Sequence, residues 1–413
     1  MILSGATLLD LDPVSVRRAD VRIEGGTIVD VGDLDGEGVD LRGSWLMPGL
    51  VVAHHHLYAA LACGMPTAPE APETFTQMLR RVWWRLDEAL DLDAIEASAL
   101  VGGVAALRAG VTTIVDHHAS PNAIAGSLEA IDGALGALGL RRVLAYEVTD
   151  RGGAERARAG LRAHEGLLAS RTPKRGVLVG MHASLTLSDD TIRDCAALAR
   201  SAGVGVHVHV AEAVDDVREG SPVARLERLG ALLPGSVLAH GVHLGGDDLA
   251  RIADAGAWLT HQPRSNMNNT VGRARVAAFP ARVAIGTDGI GADVIAELQA
   301  GYFRAREDHA GWGPARWAEA LAAGARLAGE SLGVRLGRIA PGHAADLVVL
   351  DPAPGPPLVD LPAALVFRFG AGMVRDVMVA GAWRLRDRRP VGVDAGELDA
   401  RAQSAARVLW ERM

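Results

Sequence analysis

LMPGLVVAHHH, residues 46–56, is an apolar run that ends on three histidines, and seven runs of similar build follow it. They are GVTTIVDHH (110–118), RRVLAYEVTD (141–150), GVLVGMHAS (176–184), GVGVHVHVAE (203–212), GSVLAHGVHL (235–244), GAWLTHQP (256–263) and RVAIGTDG (282–289). Helical patterns separate them. Eight β-like runs alternating with helices over residues 50–340 predict a (β/α)8 TIM barrel, a fold that needs roughly 250 residues plus insertions. A doubly wound sheet is the competing α/β arrangement, but no glycine fingerprint of the dinucleotide-binding kind follows the first run.

Outward from this core the pattern changes. Near the N-terminus, MILSGATLLD and VRIEGGTIVDVG are short alternating runs, the second broken by a Gly-Gly pair that reads as a hairpin. HAADLVVLD and VRDVMVAGAWRLRDRRP read the same way near the other end. Both termini are therefore expected to build one small β-sandwich domain, residues 1–49 plus 341–392. The charged, helically periodic stretch 393–413 is expected to be a C-terminal helix.

The chain has 413 residues and a formal charge of −8. That disfavours nucleic acid, whose binding needs a basic face. Hydrophobic residues make up 49% and charged residues 22%, a globular composition. No apolar run approaches the ~18 residues of a membrane span, and the first residues lack the basic-then-apolar order of a signal peptide. Cys63 and Cys195 are the two cysteines, too few for a disulfide framework, so a cytoplasmic location is expected. Lys174 is the single lysine, and any mechanism that needs a lysine must use it.

Eleven of the 14 histidines lie at or near the ends of the eight runs, where a barrel keeps its reacting groups. His54 and His56 are two apart and share one face of a strand, with His55 on the other. With His209 and Asp288 they would offer three nitrogens and one oxygen, a donor set suited to zinc or another divalent transition metal. Glu212, three beyond His209, would leave its strand and fold back, where a carboxylate can pass a proton from activated water to a leaving nitrogen.

These residues resemble the amidohydrolase superfamily, in its branch of deaminases and chlorohydrolases. PGLVVAHHH is similar to the first-strand PGxxxxHxH motif of that superfamily, HVAE to its HxxE motif, AHGVHL to its sixth-strand histidine and GTDG to its eighth-strand aspartate. PGHAADLVVLD resembles the return to the small sheet domain. The stretch Phe75 to Asp87, with DHHASP (116–121), RSNMNN (264–269) and GTDGIGAD (286–293), resembles the SsnA-type aminohydrolases, and the similarity runs nearly end to end. The resemblance implies that His54, His56, His209 and Asp288 bind one divalent metal, Zn2+ first and Fe2+ as the alternative. It implies catalytic roles for Glu212 as proton shuttle and for His240 and Asp288 beside the attacking water, and a substrate contact for His182. A homodimer is what such relatives suggest. Gln262 stands where an Asn is more usual, and HHH replaces HxH. Binuclear members carry a bridging lysine at the end of the fourth strand, whereas Lys174 precedes that strand, so a single metal is expected.

Other residues carry two readings each. His117 and His118 end the second run and either contact substrate or pack. His207 shares the face of His209 one layer deeper. His261 and Arg264 are candidate substrate contacts on the seventh run, Arg264 competing with a buried ion pair. Trp83 and Trp84 either pack or form a flat wall for a planar substrate, and Cys63 has no His-Asn partners for nucleophilic work. The function expected is hydrolysis at an sp2 carbon of a small, cyclic nitrogenous substrate, releasing ammonia or cleaving another non-peptide C–N bond. Hydrolytic dechlorination of a nitrogen heterocycle and a catalytically silent metabolite-binding barrel are the alternatives.

Overall fold

The computed structural model describes residues 1–307 and 311–413; His309 lies outside the described residues. Eight parallel strands form the centre: β1 Leu50–His55, β2 Val111–His118, β3 Arg141–Tyr146, β4 Val179–Ala183, β5 Val206–Val210, β6 Val237–His240, β7 Trp258–His261 and β8 Val283–Ile285. Every residue of these strands except the half-buried Arg142 is buried, as expected for strands covered on both faces. In β5 the alternation is explicit: Val206, Val208 and Val210 join the apolar layer beneath the helices, while His207 and His209 point into the barrel.

Parallel ladders run from β1 through β3 and from β4 through β8. Two isolated parallel bridges close the ring, Val148 with Met181 between β3 and β4, and His55 with Asp288 between β8 and β1. The chain is thus a (β/α)8 barrel. The fourth run is divided: Arg175–Val177 pairs with β3 before β4 begins. His164 spans this seam from helix Ala154–Ala169, which lies between β3 and the fourth run, its Nε2 accepting from the backbone N–H of both Tyr146 and Gly180 at 3.0 Å.

The end segments meet in two further sheets. The larger has the strand order 389–390, 382–386, 374–379, 347–350, 45–48, 7–11, 14–18; the smaller runs 27–32, 20–24, 2–4, 39–40. Leu3, Val21 and Ile28 of the smaller sheet share one apolar cluster with Leu8, Leu46, Leu347 and Met378 of the larger, which makes the pair a sandwich. The Gly25-Gly26 pair takes φ of 56° and 81°, as the hairpin turn requires, and a Cβ on Gly26 would meet the Ala380 carbonyl oxygen at 2.7 Å. Arg141 at the start of β3 donates to Asp346 at 2.6 and 3.0 Å, a buried pair that ties the foot of the barrel to the sandwich. Helix Ala395–Glu411 packs on Leu92–Arg108, with Trp410 Nε1 donating to the Leu61 carbonyl at 3.0 Å.

Candidate metal centre and active site

At the C-terminal mouth of the barrel the side chains of His54, His56, His209, Glu212, His240 and Asp288 converge. Their orientation follows from what their other atoms touch. His56 Nδ1 donates to the His117 carbonyl at 2.5 Å, and His209 Nδ1 donates to the His182 carbonyl at 2.7 Å. Both rings therefore turn Nε2 inward, where those two nitrogens lie 3.2 Å apart and His56 Nε2 is 3.0 Å from Asp288 Oδ1. His54 Nδ1 faces His207 Nε2 at 2.8 Å, and the buried His54 Nε2 has no hydrogen-bond partner. Ligand atoms of a tetrahedral zinc with bonds of ~2.0–2.1 Å are roughly 3.3 Å apart. Three inward nitrogens, one of them orphaned, and a carboxylate oxygen at such spacings fit a divalent ion. His55, in contrast, points away to Thr287 Oγ1 at 2.9 Å.

The backbone is strained where the site needs it. His240 and Asp288 both have positive φ, 76° and 54°, as does Ala211 at 50° between His209 and Glu212. Non-glycine residues adopt this region only when their surroundings hold them there. Gln262 does so for His240: its Oε1 accepts the His240 backbone N–H at 2.9 Å, while its Nε2 donates to Thr260 Oγ1 at 2.7 Å. Asn266 Oδ1 accepts from His240 Nδ1 at 2.8 Å, which leaves His240 Nε2 facing Glu212 at 3.5 Å and Asp288 at 3.7 Å. Ser265 Oγ donates to Asp288 Oδ2 at 2.5 Å, and Asn269 Nδ2 reaches Glu212 Oε1 at 3.4 Å.

Burial shapes the protonation states. It holds His54 and His209 well below the ordinary histidine value, with neighbouring imidazoles adding to the effect. For His56 burial acts the same way but is outweighed by Asp288 and Glu147, and the ring rises to about 10. Asp288 falls well below the usual carboxylate range because His56 overrides its desolvation. Burial lifts Glu212 to about 7, tempered by His240, which suits a group that must both take and give a proton near neutrality.

The site opens into a cavity lined by Tyr58, Phe75, Trp83, Trp84 and His182. His117 and His118 do not line it. His117 stacks on His207 at 4.3 Å beneath the nitrogens, and His118 bonds to Ser120 Oγ at 2.9 Å. Of the two readings for His117 and His118, substrate contact or packing, the structure thus shows packing, while His182, expected to meet substrate, lines the cavity; the carbonyls of His117 and His182 orient His56 and His209. His261 packs against Phe279 and Trp317 instead of facing the cavity. Arg264 is taken up by the fully buried Glu297, through its guanidinium and, at 2.7 Å, its backbone N–H. Glu147, at the end of β3, was not singled out from the sequence yet lines the cavity.

His207 carries a prediction. Because its Nε2 receives His54 Nδ1, it sets which nitrogen His54 turns inward. His207→Phe should weaken metal binding roughly 10- to 100-fold in competition with a chelator. Unchanged affinity would show that the strand alone orients His54.

A barrel mouth that gathers imidazoles and carboxylates in this way belongs to a metal-dependent hydrolase. Residues 45–384 match the amidohydrolase family, and the chain belongs to that family. It is 32% identical to the 5-methylthioadenosine/S-adenosylhomocysteine deaminase of Natronomonas pharaonis, with 97% of this chain and 96% of that protein aligned. It is 30% identical to the 5'-deoxyadenosine deaminase of Methanothermobacter thermautotrophicus, over 85% of this chain and 84% of that protein. A zinc-bound adenosine deaminase from Xanthomonas campestris has a similar structure, with a TM-score of 0.86 at 22% identity over 99% and 98% of the two chains, which shows the shared fold. Family and relatives make the chain a hydrolase of carbon–nitrogen bonds other than peptide bonds.

Proposed function

We propose that the protein is an aminohydrolase that removes ammonia from an aminated nitrogen heterocycle, with aminopurine nucleosides as the first class to test. The observation that carries this reading is the placement of Glu212 and His240 directly beside three inward imidazole nitrogens and Asp288. His54, His56, His209 and Asp288 would hold one divalent ion, zinc in preference to Fe2+; when bound, it supplies the Lewis acidity that makes water a nucleophile near neutral pH. Glu212 takes a proton from the attacking water and hands it to the departing amino nitrogen as the C–O bond forms and the C–N bond breaks. His240, its Nδ1 held by Asn266, orients the attacking oxygen and steadies the charge that develops on it. The aromatic walls suit a flat ring. The names of the relatives support a 6-aminopurine carried on a modified sugar. A homodimer in the cytoplasm belongs to the same reading; no described helix is long and apolar enough to cross a membrane.

The test is a panel of 5'-deoxyadenosine, 5'-methylthioadenosine, other aminopurines and pyrimidines, and a chlorinated triazine, with zinc-loaded protein. Ammonia release from a purine supports the reading. Chloride release alone would favour dechlorination, and release of neither with full metal occupancy would favour a silent binding barrel.

A further inference from the structure

The cavity is rich in carboxyl groups. Among the described residues that line it there is no lysine or arginine, while Asp87, Glu147, Glu212, Asp216 and Asp288 all border it. Four of the five accept a hydrogen bond on at least one oxygen, although Asp87 Oδ1 and Asp216 Oδ1 have none. Asp288 has His56 and Ser265, Glu212 has His240 and Asn269, Asp216 accepts the Ala211 backbone N–H, and Asp87 is paired with Arg151 at 2.7 Å.

Glu147 is the exception. It is 3% exposed, and its Oε1 has no hydrogen-bond partner. The nearest nitrogens make charge contacts with it but no hydrogen bond: His56 Nδ1, at 3.3 Å, donates to the His117 carbonyl, and His117 Nδ1 is 3.5 Å away. His182 Nε2 stands 3.9 Å from Oε2, beyond hydrogen-bond reach. A buried carboxyl oxygen without a donor is costly unless a ligand supplies one. Tyr58 and Trp83 line the same cavity, and aromatic faces attract cations; the Trp84 ring already carries Arg151, 4.5 Å from its centroid.

We propose that Glu147 and this aromatic wall form a subsite for a positively charged, donor-rich nitrogen group of the substrate, of amidinium or guanidinium type. Substrates that place a carboxylate or phosphate there are rejected. The inference rests on the reading of the cavity as the substrate site, and it adds to that reading a preference for substrates that carry a cationic group away from the metal. A planar amidinium can give two parallel N–H donors to one carboxylate.

Benzamidine and benzamide share a ring and differ in that charge, so they serve as probes. Calorimetric titration of zinc-loaded wild-type protein should show benzamidine binding at least tenfold more tightly than benzamide. Glu147→Gln should bring the ratio close to one, and Glu147→Asp, which keeps the charge, should retain most of it. A wild-type ratio near one, or a ratio unchanged in a folded Glu147→Gln protein, overturns the proposal. If that variant does not fold, the wild-type ratio decides, tenfold supporting the subsite and unity overturning it. Absence of ammonia from every substrate on the panel would overturn the deaminase reading and leave this ratio untouched.

Discussion

Substitution of His209 by Ala should leave a folded protein with neither metal nor activity. His209 sits on β5 with its Nδ1 tied to the His182 carbonyl, so its Nε2 has one direction to face, and 3.2 Å away lies His56 Nε2. Removing the ring leaves His54, His56 and Asp288, all from the adjacent strand ends of β1 and β8, so the ion loses the imidazole from the opposite side of the barrel and with it the tetrahedral enclosure. The methyl group that remains cannot replace it. Elemental analysis after dialysis should read close to zero, with circular dichroism unchanged; full occupancy in this variant would remove His209 from the site.

Glu212→Gln separates proton transfer from coordination. The amide keeps the shape of the side chain and its contact with Asn269, but it cannot accept the proton that the carboxylate, lifted by burial to about 7, is poised to take. Metal content should stay at the wild-type level while turnover falls by roughly 10²- to 10⁴-fold. Turnover near the wild-type rate would move the base to His240, whose Nε2 is the nearest alternative at 3.5 Å.

Much of this was legible in the chain because barrel strands announce themselves twice, as apolar runs and as the places where reactive residues recur. The VHVHV pattern of β5 gives both strand parity and the inward direction of His209, and the HxH spacing does the same for His54 and His56. Short strands were harder. β7 spans four residues, so nothing in its sequence tells whether Thr260 or His261 faces inward, and His261 packs outward on Trp317. Arg264 could not be assigned without Glu297, 33 residues away. The work of Gln262 and Asn266 depends on the positive φ of His240, which follows from tertiary contacts and not from local preference. Glu147 is a lone carboxylate after an apolar run; only the closed barrel shows that no donor reaches its Oε1.

The single lysine bears on how many ions the site holds. Lys174 is exposed and precedes the strand Arg175–Val177, before β4, so it cannot bridge two metals at the opposite end of the barrel. Titration of metal-free protein with Zn2+ while ammonia release is followed, using the best substrate of the panel, tests metal-dependent deamination and its stoichiometry together. The prediction is no release without metal, a linear rise on addition, and a plateau at one equivalent per chain. Release by the metal-free protein, or a rise that continues to two equivalents, would contradict it.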